Sequence, residues 1–257
     1  MSAVPEKPGA PSPRVSIVTV VRNEPWGLRR TMDSVAAQAF TDREYVIVDG
    51  ASTDGTVEVI RERAAEVTRW ISEPDSGIYS AMNKGVRLAR GQYVCFMNAG
   101  DRFASADALR SMFEPPPSTE LLWGDCIIEG ARGEEYDRAA DVLRHLYRQM
   151  TVSHQSLMVR REALLRRPFD ESMKIAADYD FLCERLLAGA TWEYRPLPVS
   201  RIDDTGVSAR IFRTSLREKR EISLTRFPAR RWSILAYHAV LGAYMMAKQL
   251  TRGRRAG

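Results

Sequence analysis

Within its first hundred residues the chain repeats one arrangement: an apolar run, a polar loop, then a stretch with helical spacing. Residues 15–21 are apolar and mostly β-branched, and Arg22-Asn23-Glu24-Pro25 leads into a helical pattern that runs to residue 38. Residues 45–48 repeat the run, the loop DGASTDGT follows over 49–56, and a second helical pattern reaches residue 65 with Thr53 or Asp54 as its cap. A short run near Trp70-Ile71, a helix over 78–90 and an apolar run over 92–97 complete the series. Strands alternating with helices predict a Rossmann-like α/β fold, a mostly parallel sheet flanked by helices, because a parallel strand pair needs a long crossover and a helix supplies it. Such sheets bind ligands outside the carboxyl ends of their strands. Three loops are therefore expected on one edge, carrying Asn23 and Glu24, Asp49 to Asp54, and Asn98 to Asp101.

The chemistry of those loops excludes two nucleotide sites. The first loop holds no G-x-G-x-x-G, and G-x-x-x-x-G-K-[ST] is absent from the chain, so neither a dinucleotide fingerprint nor the phosphate cradle of ATPases is present. The loops are acidic instead. Carboxylates bind a nucleotide by accepting hydrogen bonds from base or ribose, or by holding a divalent cation that offsets the pyrophosphate charge. Asp49, at a strand end, suits the first role and Asp101 the second. Residues 98–101 (NAGD) read equally well as a plain turn.

Further along, a helix after Ala104 leads to Pro115-Pro116-Pro117, residues 121–128 form a strand candidate, and 130–141 read as a polar, charged loop. A helix over 142–150 then precedes Ser153-His154-Gln155 and an apolar strand over 156–159. His154 is open to three readings: metal ligand, acceptor contact, or a satisfied polar residue. Asp178 falls in the first turn of a helix over 178–187, where the helix dipole favours an ionised carboxylate; a cap and a general base fit equally. Residues 192–199 read as an edge strand, because Pro196 and Pro198 each remove a ladder donor.

At 257 residues the chain is long enough for a substantial core, and its composition is that of a globular protein. Cys95, Cys126 and Cys183 form no CxxC pair, which argues against a disulfide framework or thiolate zinc site and for a reducing, cytoplasmic compartment. Residues 1–13 are rich in Pro, Ala and Ser without an apolar core segment, and are read as a disordered lead-in. The net charge of +5 hides an asymmetry: residues 208–257 carry 12 Lys and Arg against 2 Asp and Glu, a local +10, leaving −5 on the rest. A basic tail on an acidic body points to a polyanion, either nucleic acid or a negative membrane face. The segment 232–250 is largely apolar with arginines at both ends; it falls short of a bilayer span and suits an interfacial helix, with Trp232 and Tyr237 at headgroup depth, or a helix packed on the domain or a second subunit. Regularly interleaved aromatics and a recognition module are both missing from the tail, so nucleic acid is not expected.

Six segments, VSIVTVVRNE (15–24), VDGASTDGT (48–56), DSGIYSAMNKG (75–85), FMNAGD (96–101), SHQS (153–156) and ADYDF (177–181), come in one order and together resemble the family 2 glycosyltransferases of GT-A fold, most closely the bacterial exopolysaccharide and colanic-acid type branch. The resemblance covers about residues 14–205. It implies a transferase domain there, with a nucleotide half (14–101) and an acceptor half (102–205), followed by a basic helical region over 206–257. It implies a nucleoside-diphosphate-sugar donor contacted by Asn23, Glu24, Asp49, Asp75, Asn83, Lys84 and Asn98, and a divalent cation, Mg2+ or Mn2+, at Asp101. Asp178 takes the place of the general base in an inverting transfer, and His154, Gln155 and Asp180 fall on the acceptor side or behind the ligating groups. The expected acceptor is lipid-linked or a glycan, met at the inner face of the cell membrane through the C-terminal region; a homo-oligomer stays open. Two departures stand out. Asn98 and Gly100 replace aspartates of the usual metal motif, and Met82 stands where an arginine often precedes the helix asparagine, which leaves a phosphate contact to Lys84, Arg87 or the C-terminal region. The first departure motivates an alternative, a non-catalytic sugar-nucleotide or glycan binding module.

Overall fold

β-Branched runs become strands here because each can bury both faces at once. A computed structural model describes residues 12–130, 133–203 and 211–253. Along β1 (Val15–Val21), Val18 and Val20 enter one apolar core while Val15, Ile17 and Val21 enter the other, the two-residue period of a sheet covered on both sides. β1 is flanked in parallel by β2 (Arg43–Asp49) and β4 (Tyr93–Phe96), and β3 (Arg69–Ser72) adds to β2, also in parallel. The helices α1 (Pro25–Ala36), α2 (Thr56–Glu62) and α3 (Ile78–Leu88) make the crossovers. Leu28, Met32 and Val35 of α1 cover one face, and Tyr79, Met82 and Val86 of α3 cover the other. The expected α/β architecture is thus present.

Beyond β4 the strand directions mix. β5 (Arg102–Phe103) and α4 (Ala108–Phe113) follow, then β6 (Leu121–Gly130), β7 (Gly133–Asp137), α5 (Val142–His145), β8 (Leu157–Arg160), α6 (Arg161–Arg166), α7 (Ala177–Leu187) and β9 (Trp192–Asp203). The sheet runs β3-β2-β1-β4-β8-β6-β9-β5, with β7 hydrogen-bonded to β6. β8 joins antiparallel to both β4 and β6, while β9 is parallel to β6. The last elements are α8 (Phe212–Arg226) and α9 (Arg231–Gly253).

Four expectations change. The polar stretch 130–141 contains the strand β7, paired antiparallel with β6; its five residues are all exposed, so no apolar alternation announced it. The Tyr136 hydroxyl donates to the buried Asp125 carboxylate, which also accepts from Tyr194 and the Ala139 amide. The helix expected over 142–150 stops at His145, and the carbonyl of Leu146 accepts the Tyr179 hydroxyl. His154 sits in a short 3-10 turn (His154–Ser156) before β8 rather than running straight into a strand. β9 is an edge strand only where its prolines lie: residues 192–198 pair with β6 alone among the described residues, and Ser200 and Arg201 gain β5 on the other side. A side chain at Gly124 would meet the Leu197 carbonyl at 2.7 Å, so glycine lets β6 pass the proline stretch closely.

The C-terminal basic region does not stand apart. Ile222 of α8 is buried in the same core as Phe181 and Leu182 of α7, so the core of the domain extends beyond residue 205. α9 buries Ile234 and His238 and leaves Trp232, Val240 and Tyr244 exposed. No helix among the described residues is long and apolar enough to cross a membrane. Of the lead-in expected over 1–13, residues 1–11 lie outside the described residues, as do 204–210 at the start of the tail.

Candidate active site

Parallel strands release their loops on one side, and that is where the acidic residues gather. Asp49 ends β2, fully buried, and its carboxylate accepts from the Ser52 amide (3.0 Å), the Ser52 hydroxyl (2.5 Å) and the Ser72 hydroxyl at the end of β3 (2.6 Å). The next residue explains how a second carboxylate joins it. A Cβ on Gly50 would lie 2.4 Å from Asp75 Oδ2, so the glycine leaves room for the Asp75 side chain beside the β2 end. Asp75 in turn accepts the Gly77 amide at 3.0 Å at the mouth of α3. Asn23 and Ala51 both adopt left-handed backbone, with φ of 53° and 57°, a costly geometry for residues with side chains. Asn23 Oδ1 accepts the Thr53 amide and the Asn23 amide donates to Ser52, which ties the first loop to the second. Strand spacing puts the ends of β2 and β4 about 10 Å apart across β1, a width suited to a nucleotide.

The β4 loop is organised by Thr31 of α1. Its hydroxyl donates to the Asp101 carbonyl at 2.6 Å and accepts the Gly100 amide at 3.0 Å. This leaves the Asp101 carboxylate facing Gln155, whose Nε2 donates to Oδ2 at 2.8 Å; burial raises the Asp101 pKa, opposed by that hydrogen bond and by His154. The adjacent His154 bridges to the second carboxylate. Its Nδ1 lies 3.2 Å from Asp178 Oδ2, and its Nε2 lies 3.0 Å from Asn98 Nδ2. Asp178 Oδ1 accepts the Tyr79 hydroxyl at 3.0 Å and the Tyr179 amide at 2.9 Å.

The electrostatics follow from burial of this pair. Burial alone would raise the Asp178 pKa, but the hydrogen bond and charge of His154, with help from Lys219 and Tyr79, bring it below the usual aspartate value. For His154 burial works downward, and the hydrogen bond and charge of Asp178, with Asp101 behind, carry it above its ordinary 6.5. Each stabilises the other's ion. Neutral His154, with its proton on Nδ1, accepts from the Asn98 amide group. That orientation leaves Asn98 Oδ1 buried without a partner. An imidazolium would donate from Nε2 as well, and Asn98 meets it by turning its amide over.

The model of glycosyl transferase family 2 matches residues 16–165, more than half the chain. The chain belongs to this family. A PGL/p-HBAD biosynthesis glycosyltransferase of Mycobacterium bovis is 32% identical over 178 residues, which cover 66% of this chain and 68% of that protein. An uncharacterized glycosyltransferase of Mycobacterium tuberculosis is 37% identical over 118 residues, 44% of this chain, and the match spans 45% of that relative, less than half its length. The fold is shared with a mannosyltransferase of Pyrobaculum calidifontis solved with GDP-Man and Mn2+, at TM-score 0.66 and 19% identity over 95% of this chain and 80% of that one. Asp178 lies beyond the matched family segment, so its place in the site is a matter of geometry.

Within this glycosyltransferase domain not every expected contact faces the cleft. Asn83 is buried, and its amide is spent on the Phe169 carbonyl and amide and on Glu171. It pins the loop before α7 rather than a donor. Lys84 donates to the Pro74 carbonyl at 2.7 Å and pairs with Glu73 at 2.8 Å, so its charge is already matched. Asp180 is turned away from Asp178 and gripped by Arg167 (2.5 Å) and Arg226 (2.8 Å). Glu24 caps α1 by accepting the Gly27 amide. In the segment DSGIYSAMNKG, Asp75 lies beside the β2 end, and Tyr79, unassigned from sequence, holds Asp178. Glu218 of α8 was also missed. Its buried carboxylate accepts the amides of Lys174, Ile175 and Ala176, the last residues before α7, and so fixes the turn that presents Asp178. The one available signal was its rarity: Glu218 and Glu221 are the sole acids in residues 208–257.

Among the described residues no three His, Cys, Asp or Glu side chains are grouped as a ready-made metal site. What the β4 loop offers is oxygen, from the Asp101 carboxylate and the unpartnered Asn98 Oδ1. Mg2+ and Mn2+ favour such hard ligands and commonly take the remainder from substrate phosphates and water. The donor set fits an ion shared with a diphosphate.

Proposed function

We propose that the protein transfers a sugar, with inversion, from a nucleoside-diphosphate sugar to a hydroxyl of a lipid-linked or polysaccharide acceptor. The observation that carries this reading is the placement of His154 and Gln155: adjacent side chains touch Asp178 and Asp101, so a base and an anion-holding end share one cleft. Asn23, Asp49 and Asp75 belong to the nucleoside end, with Asn98 and Asp101 toward the diphosphate. A divalent ion held by Asp101 and Asn98 would neutralise charge on the departing diphosphate, as expected from the Mn2+ in the mannosyltransferase of the same fold.

Asp178 takes the proton of the acceptor hydroxyl while that oxygen bonds to the anomeric carbon and the bond to the diphosphate breaks. The proton then leaves for solvent, and no covalent enzyme intermediate forms. The lowered pKa keeps the carboxylate ionised at neutral pH, so the base is ready before the acceptor arrives. Tyr79 and His154 fix its orientation. The basic C-terminal region and the exposed apolar side chains of α9 support an acceptor met at a membrane surface.

The test is release of nucleoside diphosphate from a panel of sugar nucleotides with Mg2+ or Mn2+. Asp178→Asn is expected to lower kcat by about 10²–10⁴ while nucleotide binding persists, and Asp101→Ala to abolish the response to metal. Turnover that survives both substitutions removes the site assignment.

A further inference from the structure

Many arginines are matched by a carboxylate: Arg63, Arg69, Arg102, Arg185, Arg201 and Arg226 all form ion pairs. Three that are not, among the described residues, line one cleft together. A cleft of about 400 Å3 between α5 and the start of α9 is lined by Leu143, Arg144, His145, Tyr147, Arg148 and Arg230. No acidic side chain lines it, and among the described residues none pairs with its three arginines. The guanidinium groups of Arg148 and Arg230 each lie 4.9 Å from the centroid of the same Tyr147 ring. They are therefore within about 10 Å of each other, a distance comparable with the screening length of about 8 Å at physiological salt. Two cations sharing one ring repel unless an anion joins them. Arg148 adds a pointer of its own: its Nε is buried without a partner, and its Nη2 reaches only the Ser233 hydroxyl, at 3.4 Å.

We infer that this cleft is a phosphate-binding site, and that its occupant is the phosphate head of a membrane lipid. Planar guanidinium groups match phosphate oxygens in pairs, and a cleft without carboxylates offers an anion nothing to repel it. The membrane source is favoured by what borders the cleft. Leu143 is 54% exposed, Trp232 is 80% exposed two residues after Arg230, and the exposed side chains of Val240 and Tyr244 continue that outer face of α9. An apolar stripe beside unpaired arginines suits an interface of acyl chains and phosphates. The inference rests on the membrane-facing part of the proposed function but not on its transfer chemistry.

The test uses the full chain with vesicles of phosphatidylcholine alone or with added phosphatidic acid, measured by co-flotation, and inorganic pyrophosphate by calorimetry. Phosphatidic acid is expected to increase vesicle binding strongly. Arg144→Ala with Arg230→Ala should reduce that binding by about 30-fold without changing thermal unfolding. Arg144→Ala alone, which breaks no ion pair among the described residues, should reduce it about fivefold. Pyrophosphate that binds the wild type while vesicles do not would overturn the lipid assignment. Equal vesicle binding by wild type and both arginine variants, whatever Trp232→Ala does, would overturn the site. Nucleotide binding is measured on the same samples: its absence in a wild type that binds vesicles as expected would defeat the transferase reading and leave the phosphate site standing.

Discussion

The two carboxylates at the ends of the cleft are held in opposite ways. Asp49 is fixed by Ser52, three residues along the chain, and by Ser72 on the neighbouring strand. Asp178 is fixed by Tyr79, 99 residues away, by His154 on a separate turn, and indirectly by Glu218, whose amide donors lie 42 to 44 residues before it. The proposed nucleotide end is thus ordered by short loops on a parallel sheet. The proposed reaction end forms only once three distant segments have closed upon it, and long closures cost more chain entropy. The nucleotide end should therefore tolerate damage elsewhere, while the reaction end should not.

The largest effect is expected from Glu218→Ala. It removes the acceptor of three buried amides and should lower stability by about 3 kcal/mol, with kcat falling at least about tenfold as the α7 turn loosens. Nucleoside diphosphate affinity should stay within about twofold; a matching loss of nucleotide binding would erase the distinction between the two ends. Asp49→Asn is the converse. It should weaken nucleotide binding about tenfold, near 1.4 kcal/mol, with kcat at saturating donor largely kept, and isothermal titration beside steady-state kinetics separates the two.

The smallest effect is spectroscopic. In Asp178→Asn the largest upward influence on His154 is gone, so its ring should titrate at lower pH than in the wild type, read by NMR on metal-free protein. The same pair sets a stability window. Because His154 titrates higher in the folded chain, its contribution is complete below 6.5 and fades as pH rises through the raised value. Because Asp178 titrates lower, its contribution is complete above the usual aspartate range, near 3.8, and is lost as pH falls through the lowered value. Wild type minus Asp178→Asn stability should therefore be greatest between those limits.

The same contrast explains what could be read from sequence. β1 to β4 and their loops follow from local pattern, since apolar runs, glycines and turn residues act within a few positions. Asp49 and Asp101 were expected on that edge for that reason and lie at the end of β2 and in the loop after β4; Asp75, expected at the donor only from the family resemblance, joins Asp49 through the room left at Gly50. Asn83, Lys84 and Asp180 were drawn to the cleft by the segments that contain them, yet Phe169, Glu73 and Arg226 claim them, and those partners are set by tertiary packing. β7 has no buried face to betray it. Tyr79 sat inside a quoted segment, but the reach of its hydroxyl to Asp178 depends on how α3 and α7 cross.

The grip of α8 on α7 has a consequence during synthesis. The strands β1 to β4 leave the ribosome first, whereas Ser223, Arg226 and Glu218 emerge dozens of residues after Asp178. A nascent chain would thus carry Asp178 for some time before the contacts that set its turn could form.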